Sequence, residues 1–362
     1  MSGVNLMKTT ALIMAGGRGE RFWPKSRKSL PKQFLSLTND GKTMIQLTVE
    51  RILPLVAIAD IYIATNESYR GLAQAQLPNL PAENILCEPV GRNTAPCIGL
   101  GAIHILKKYD DAMMIVLPSD HLIKQKTLFL KTLRNASQVA EENSNLVTIG
   151  ITPDYPETGY GYIRFDEEGS IGQAYKAAQF VEKPDLETAK VYFESGQYLW
   201  NSGMFVWKVS SILEKMEHLM PETYQGLKNI QQAFGTEKEE SVLKDEFSKM
   251  RSISIDYGIL EHADDIYTVP GSFGWDDVGS WLAMERINPT NEFGCVTSGN
   301  LVMVNTKNCI LQGGEKLIAT VGVQNLIVVD TPDAILICHK ENAEDIKKVL
   351  ENLRICNRNE YI

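Results

Sequence analysis

The chain has 362 residues, enough for two domains at roughly 150 residues each, and its 44% hydrophobic and 22% charged residues are ordinary for a globular protein. A formal charge of −9 excludes nucleic acid and anionic membrane surfaces as partners held by long-range attraction, because both reward a basic face. No apolar run approaches the ~20 residues that span a bilayer, which makes the cytoplasm the expected location. The six cysteines are scattered, without a CxxC pair or zinc-ligand spacing, and read as reduced thiols.

Met1 to Thr9 reads as a polar tail, with Met7 as an alternative start. Ala11 to Ala15 predicts the first strand. After a glycine-rich loop, Thr43 and Gln46 have capping-box spacing, and Ile45, Val49, Ile52 and Leu53 then fall on one helical face. Strands are predicted at Ile61 to Ala64, near Ile85 to Cys87, at Met113 to Leu117 and at Leu146 to Gly150. Helices are predicted from about Ser68, from Thr94 to Lys108 and from Lys126 to Glu142. This alternation is that of an α/β domain with a doubly wound, mixed but mainly parallel, Rossmann-like sheet, whose ligands gather at the carboxyl ends of the strands.

From Gly159 to Trp207 the texture becomes aromatic and glycine-rich, and helices return between Ser211 and Lys249. Beyond Asn288, short β-rich runs (Leu301 to Val304, Cys309 to Leu311, Leu317 to Val321, Leu326 to Val329, Ala334 to Cys338) predict a small all-β domain. A left-handed β-helix is one candidate geometry, although no strict hexapeptide repeat is visible. An amphipathic helix, Asn342 to Arg354, closes the chain. The expected division is 1–288 and 289–362.

Six cations (Arg18, Arg21, Lys25, Arg27, Lys28, Lys32) against one acid (Glu20) lie between Gly16 and Gln33 in an otherwise acidic chain. Ala15, Gly16, Gly17 and Gly19 are small enough for backbone N–H groups to approach an anion, and Arg18 and Arg21 can meet phosphate oxygens bidentately. The segment therefore reads as a phosphate site. It carries neither GxGxxG nor a GK[ST] P-loop ending, which disfavours a nicotinamide-dependent oxidoreductase. Glu182 and Asn201 offer an acceptor and a donor to a polar ligand, and Gly161 lets a ligand approach the backbone closely. Glu88 can accept from two adjacent N–H donors of a ligand, and the backbone of Asn93, Thr94 and Ala95 can line the same pocket. Arg92 is an alternative partner for Glu88.

Seven motifs in order carry a resemblance: GGRGERFWPKSRKSLPKQF, EPVGRNTAP, LPSDH, TGYGYI, FVEKPD, WNSGMF and GWDDVGSW. Together they resemble the bacterial mannose 1-phosphate guanylyltransferases, within the sugar nucleotidyltransferase superfamily, over nearly the whole chain. The resemblance implies transfer of GMP from GTP to α-D-mannose 1-phosphate, giving GDP-mannose and pyrophosphate. It implies Asp120 and Asp277 as ligands of Mg2+ or another divalent cation, with Asp277 chosen over Asp276 because the superfamily places its aspartate two residues before the glycine. It further implies that Arg21 faces the triphosphate, that Lys32 holds substrate phosphate, that Lys183 meets the phosphate of the sugar, that Glu182 and Asn201 beside Gly161 meet the sugar hydroxyls, and that Glu88 with Asn93, Thr94 and Ala95 meets the guanine. A homodimer built through a β-helical extension is implied as well. Longer members carry an isomerase domain of the cupin type, which is not expected here. Another sugar 1-phosphate or nucleoside triphosphate, or a catalytically silent regulatory subunit, are the alternatives.

Overall fold

The computed structural model describes residues 7–362, so most of the expected polar tail lies outside the described residues. At its described end, Lys8 pairs with Asp60 at 2.9 Å. The strands of the first half are β1 (Thr9–Ala15), β2 (Ile61–Asn66), β3 (Ile85–Glu88), β4 (Met113–Pro118), β5 (Leu146–Ile151), β6 (Tyr162–Ile171), β7 (Ala174–Val181), β8 (Tyr198–Lys208) and β9 (Ile266–Gly271). The helices up to that point are α1 (Met44–Ile52), α2 (Arg70–Gln76), α3 (Thr94–Ile105), α4 (Lys126–Glu141), α5 (Leu186–Ser195), α6 (Val209–Leu219), α7 (Pro221–Ala233) and α8 (Glu239–Lys249). Contacts group the chain into two units. One holds the residues up to Gly16, Val49–Pro118 and Ile123–Trp275; the other holds Gly17–Thr48, Ser119–Leu122 and Asp276–Ile362.

The first unit is built on a nine-stranded sheet in the order β3-β2-β1-β4-β8-β5-β9-β7-β6. Strands β3, β2, β1 and β4 are mutually parallel, as are β5 and β9. Ala11, Leu12 and Ile13 are fully buried, as expected of a strand covered on both faces. Helix α3 is buried on nearly every side, which matches its apolar composition all round. The antiparallel β8 enters between β4 and β5, with Phe205 opposite both Val116 and Thr148. The sequence predicts β-structure in this region, but pairing between strands so far apart leaves no local trace.

The second unit holds the cation-rich loop and the C-terminal strands β10 (Val296–Ser298), β11 (Leu301–Val304), β12 (Ile310–Gln312), β13 (Ile318–Val321), β14 (Leu326–Asp330) and β15 (Ile335–His339). Helices α9 (Ala283–Ile287) and α10 (Ile346–Ile355) accompany them. Strands β10, β12 and β14 stack in parallel, β15 closes that sheet antiparallel, and β11 pairs in parallel with β13. Val296, Ile310 and Ile327 thus occupy one column at unequal sequence spacing, which explains why no hexapeptide repeat is legible. Asn308 and Asn325 turn successive coils with φ of 50° and 58° and bond through their side chains at 2.5 Å. Phe22, Trp23, Val278 and Trp281 share a core with Val296, Ile310, Ile327 and Leu350. Among the described residues no helix is long and apolar enough to cross a membrane.

Candidate active site

The cation-rich loop leaves β1 through Gly16 and Gly17 and is shaped by close packing. Gly19 has φ +60°, and a Cβ there would lie 2.2 Å from the Cβ of Lys32, so glycine is required for both conformation and space. Gln33 Nε2 donates to the Gly17 carbonyl at 3.1 Å. Lys32 is buried, and its ammonium lies 2.9 Å from Asp120 Oδ2 and donates to the Asp277 backbone carbonyl at 2.7 Å. The second unit therefore gathers three residues that the sequence reading places far apart along the chain. Burial would raise the Asp120 carboxyl, but the Lys32 ammonium overrides it, with help from His121, and holds that carboxyl below its ordinary value.

The neighbouring aspartates differ in use. Asp276 is buried and accepts from Arg286 Nε at 2.5 Å and Nη2 at 3.0 Å, a bidentate pairing that commits it. Asp277 Oδ1 accepts from the Gly279 amide at 3.2 Å, and a Cβ on Gly279 would come within 2.7 Å of Asp277 Oδ2. Lys32 thus joins the Asp120 carboxylate to the Asp277 main chain, while the Asp277 carboxylate accepts within its own turn. A hard divalent ion takes one or two protein carboxylates and fills its remaining positions with water and phosphate oxygens, a number of carboxylates that these two aspartates can supply.

The other cations divide. Arg18 is mostly exposed, 4.0 Å from Glu20. Arg21 is held at 2.8 Å by Glu344 and donates to the Gly279 carbonyl at 3.4 Å. Lys25 donates to Gln312 at 3.0 Å, and Arg27 lies 2.7 Å from Asp333, so these two tie the loop to the C-terminal coils.

In the first unit, Glu88 ends β3 and is buried with Oε1 lacking a hydrogen-bond partner. Burial pushes its carboxyl up to about 7, with Cys97 opposing. A Cβ on Gly16 would lie 3.5 Å from Glu88 Oε2, so the backbone at the end of β1 runs beside this carboxylate. Arg92 does not pair with Glu88; its Nη2 donates to the Ser248 carbonyl. Asn93 has φ 67° and caps α3 through its side chain, which accepts from Thr94 N at 2.8 Å. The Ala95 amide donates to Ile253 O at 3.2 Å.

Gly161, Glu182, Lys183 and Asn201 also meet. A Cβ on Gly161 would be 2.8 Å from Glu182 Oε2 and 3.5 Å from the Asn201 Cβ, the Asn201 amide donates to Gly161 O at 2.8 Å, and Lys183 pairs with Glu182 at 2.8 Å. Asp256 joins this group by accepting from Asn201 Nδ2 at 2.7 Å. Sequence reasoning missed it, since SIDYGIL carries no motif with a physical rationale; the short π-helix it opens, Asp256–Leu260, is a feature frequent at functional sites but visible only in the fold.

The sequence profile of the nucleotidyl transferases matches residues 10–292, and that of the MannoseP isomerase/GMP-like beta-helix domain matches residues 299–353. The mannose-1-phosphate guanylyltransferase of Salmonella montevideo is 41% identical over 361 residues, covering 98% of this chain and 75% of that protein. The mannose-1-phosphate guanylyltransferase of Escherichia coli K12 is 40% identical over 363 residues, with the same two coverages. A crystal structure from Thermus thermophilus, described as a mannose-1-phosphate geranyltransferase, matches with a TM-score of 0.87 at 34% identity, over 96% of this chain and 100% of that one. With a profile match over most of its length and such relatives across nearly all of it, the chain belongs to the nucleotidyl transferases, in the branch of the mannose-1-phosphate guanylyltransferases.

Proposed function

We propose that this chain transfers GMP from GTP to α-D-mannose 1-phosphate, forming GDP-mannose and pyrophosphate. The observation that carries the reading is the buried Lys32 ammonium bound to the Asp120 carboxylate and the Asp277 carbonyl, within a chain of this family. A phosphate oxygen of the sugar phosphate attacks the α-phosphorus of GTP, the bond from that phosphorus to the bridging oxygen breaks, and pyrophosphate leaves with the electron pair. The nucleophile is already an anion near neutral pH, so the protein needs no general base, and its work is positioning and charge neutralisation.

Arg18, Arg21 and Lys32, with the backbone from Ala15 to Gly19, face the triphosphate in this reading. Glu88 and the segment Asn93, Thr94, Ala95 read the guanine. Glu182 and Asn201 bind sugar hydroxyls beside Gly161, and Lys183 meets the phosphate of the sugar. Asp120 and Asp277 hold the divalent metal ion, magnesium in our proposal, which when bound neutralises charge on the phosphate oxygens. We assign the chemistry to residues 1–288 and subunit contacts to 289–362. A second copy of the chain is the proposed cover for Val302, Val304, Leu317 and Val321, each about half exposed or more, and the cytoplasm is the proposed location.

The metal assignment is tested by pyrophosphate release from Asp120→Ala and Asp277→Ala. Each is expected to lower kcat by at least about a hundredfold while the circular dichroism spectrum stays native. Turnover at the wild-type rate in either folded variant would refute it.

A further inference from the structure

Asn201 is held from three sides. Its backbone N–H donates to Gly161 O at 2.8 Å, its side-chain Oδ1 accepts from the Gly203 amide at 3.1 Å, and its Nδ2 donates to Asp256 Oδ1 at 2.7 Å. Gly203 reaches this geometry with φ +67°, a conformation that suits glycine. An amide has two N–H groups on its nitrogen, so one remains once Asp256 has taken the other. The side chain cannot flip without turning its oxygen toward the Asp256 carboxylate.

Asp256 sits in a segment that also grips the start of α3 and the turn leading into it. Ile253 N donates to Arg92 O at 3.3 Å, Ala95 N donates to Ile253 O at 3.2 Å, and Ile255 N donates to Thr94 Oγ1 at 2.8 Å. Residues 253–256 thus connect the turn assigned to the base with the asparagine assigned to the sugar. Burial pushes the Asp256 carboxyl above its ordinary value, against the opposing Asn201 hydrogen bond. A buried carboxylate is costly unless it is hydrogen-bonded, and Asn201 Nδ2 supplies such a bond.

We infer that Asp256 is a positioning residue for sugar recognition: it fixes the Asn201 amide so that a donor N–H is presented beside the Glu182 acceptor. That pair selects a sugar with neighbouring hydroxyls, one accepting from Asn201 and one donating to Glu182. The inference rests on the substrate reading above and deepens it.

The test is steady-state kinetics with both substrates varied, on wild type, Asp256→Leu, Asp256→Asn and the swapped pair Asn201→Asp with Asp256→Asn. Asp256→Leu is expected to raise KM for mannose 1-phosphate about tenfold or more, with KM for GTP within about twofold of wild type. Asp256→Asn keeps an acceptor oxygen and is expected to stay within about threefold. The swapped pair restores a hydrogen bond between the two positions but offers the sugar an acceptor, so it is expected to remain as impaired as Asp256→Leu. The inference is overturned if the swapped pair regains the wild-type KM, or if the variants raise both KM values together in step with a fall in Tm. A wild-type protein that uses a different sugar 1-phosphate overturns the substrate reading alone, and the same split with that sugar phosphate then decides the role of Asp256.

Discussion

Gly19 and Glu88 show how single residues tie the candidate site to measurable behaviour. A Gly19→Ala change combines a φ of +60° with a contact 2.2 Å from the Lys32 Cβ. It should displace Lys32 from Asp120 and cost about 1–3 kcal/mol, read as a lower Tm together with a loss of turnover. Glu88 carries the opposite kind of strain, a buried carboxyl pushed up to about 7. Because its folded value is raised, its favourable contribution is complete below the ordinary carboxylate range and is lost as pH rises through about 7. Glu88→Gln should therefore match wild type in stability below about pH 4 and exceed it at pH 8, by up to ~3 kcal/mol on the shift from 4.5 to about 7. In the guanine reading the ionised form is the acceptor, so KM for GTP in the wild type should rise as pH falls through about 7, and Glu88→Gln should flatten that profile. A pH-independent wild-type KM for GTP would remove Glu88 from the base pocket.

The short elements of the first half were legible because each buries a local pattern: Ala11, Leu12 and Ile13 make a continuous apolar strand, and Gln46 Oε1 accepts from Thr43 N at 3.0 Å, as the capping-box spacing anticipates. What the pattern cannot carry is partnership. The place of β8 between β4 and β5, and the grip of residues 253–256 on Arg92, Thr94 and Ala95, arise from contacts distant in sequence. The same holds in the loop, where Trp281 Nε1 donates to Trp23 O at 3.0 Å and its ring lies 5.2 Å from that of Phe22. Trp281 is fully buried, so Trp281→Ala should cost about 3–5 kcal/mol. Denaturant titration would measure it, and a cost within experimental error would show that this core does not hold the loop.

At the scale of the whole molecule, the motifs identified the branch and the acidic charge argued against nucleic acid and anionic membranes, whereas the stacking of the C-terminal strands had to be seen. Those strands and the turn before β13 leave Val302, Val304, Leu317 and Val321 exposed, an apolar set that natural surfaces rarely leave uncovered. Val321→Asp with Val302→Asp is expected to convert a dimer to a monomer in sedimentation, and a wild-type protein that sediments as a monomer would contradict the proposed pairing. The central claim concerns the reaction. Its most direct test is pyrophosphate release by the wild-type protein over a matrix of GTP, ATP, UTP and dTTP against mannose, glucose, galactose and fucose 1-phosphates, with and without magnesium. The account predicts highest kcat/KM for GTP with mannose 1-phosphate, and release only with the metal present; preference for another nucleoside triphosphate or another sugar 1-phosphate would contradict it.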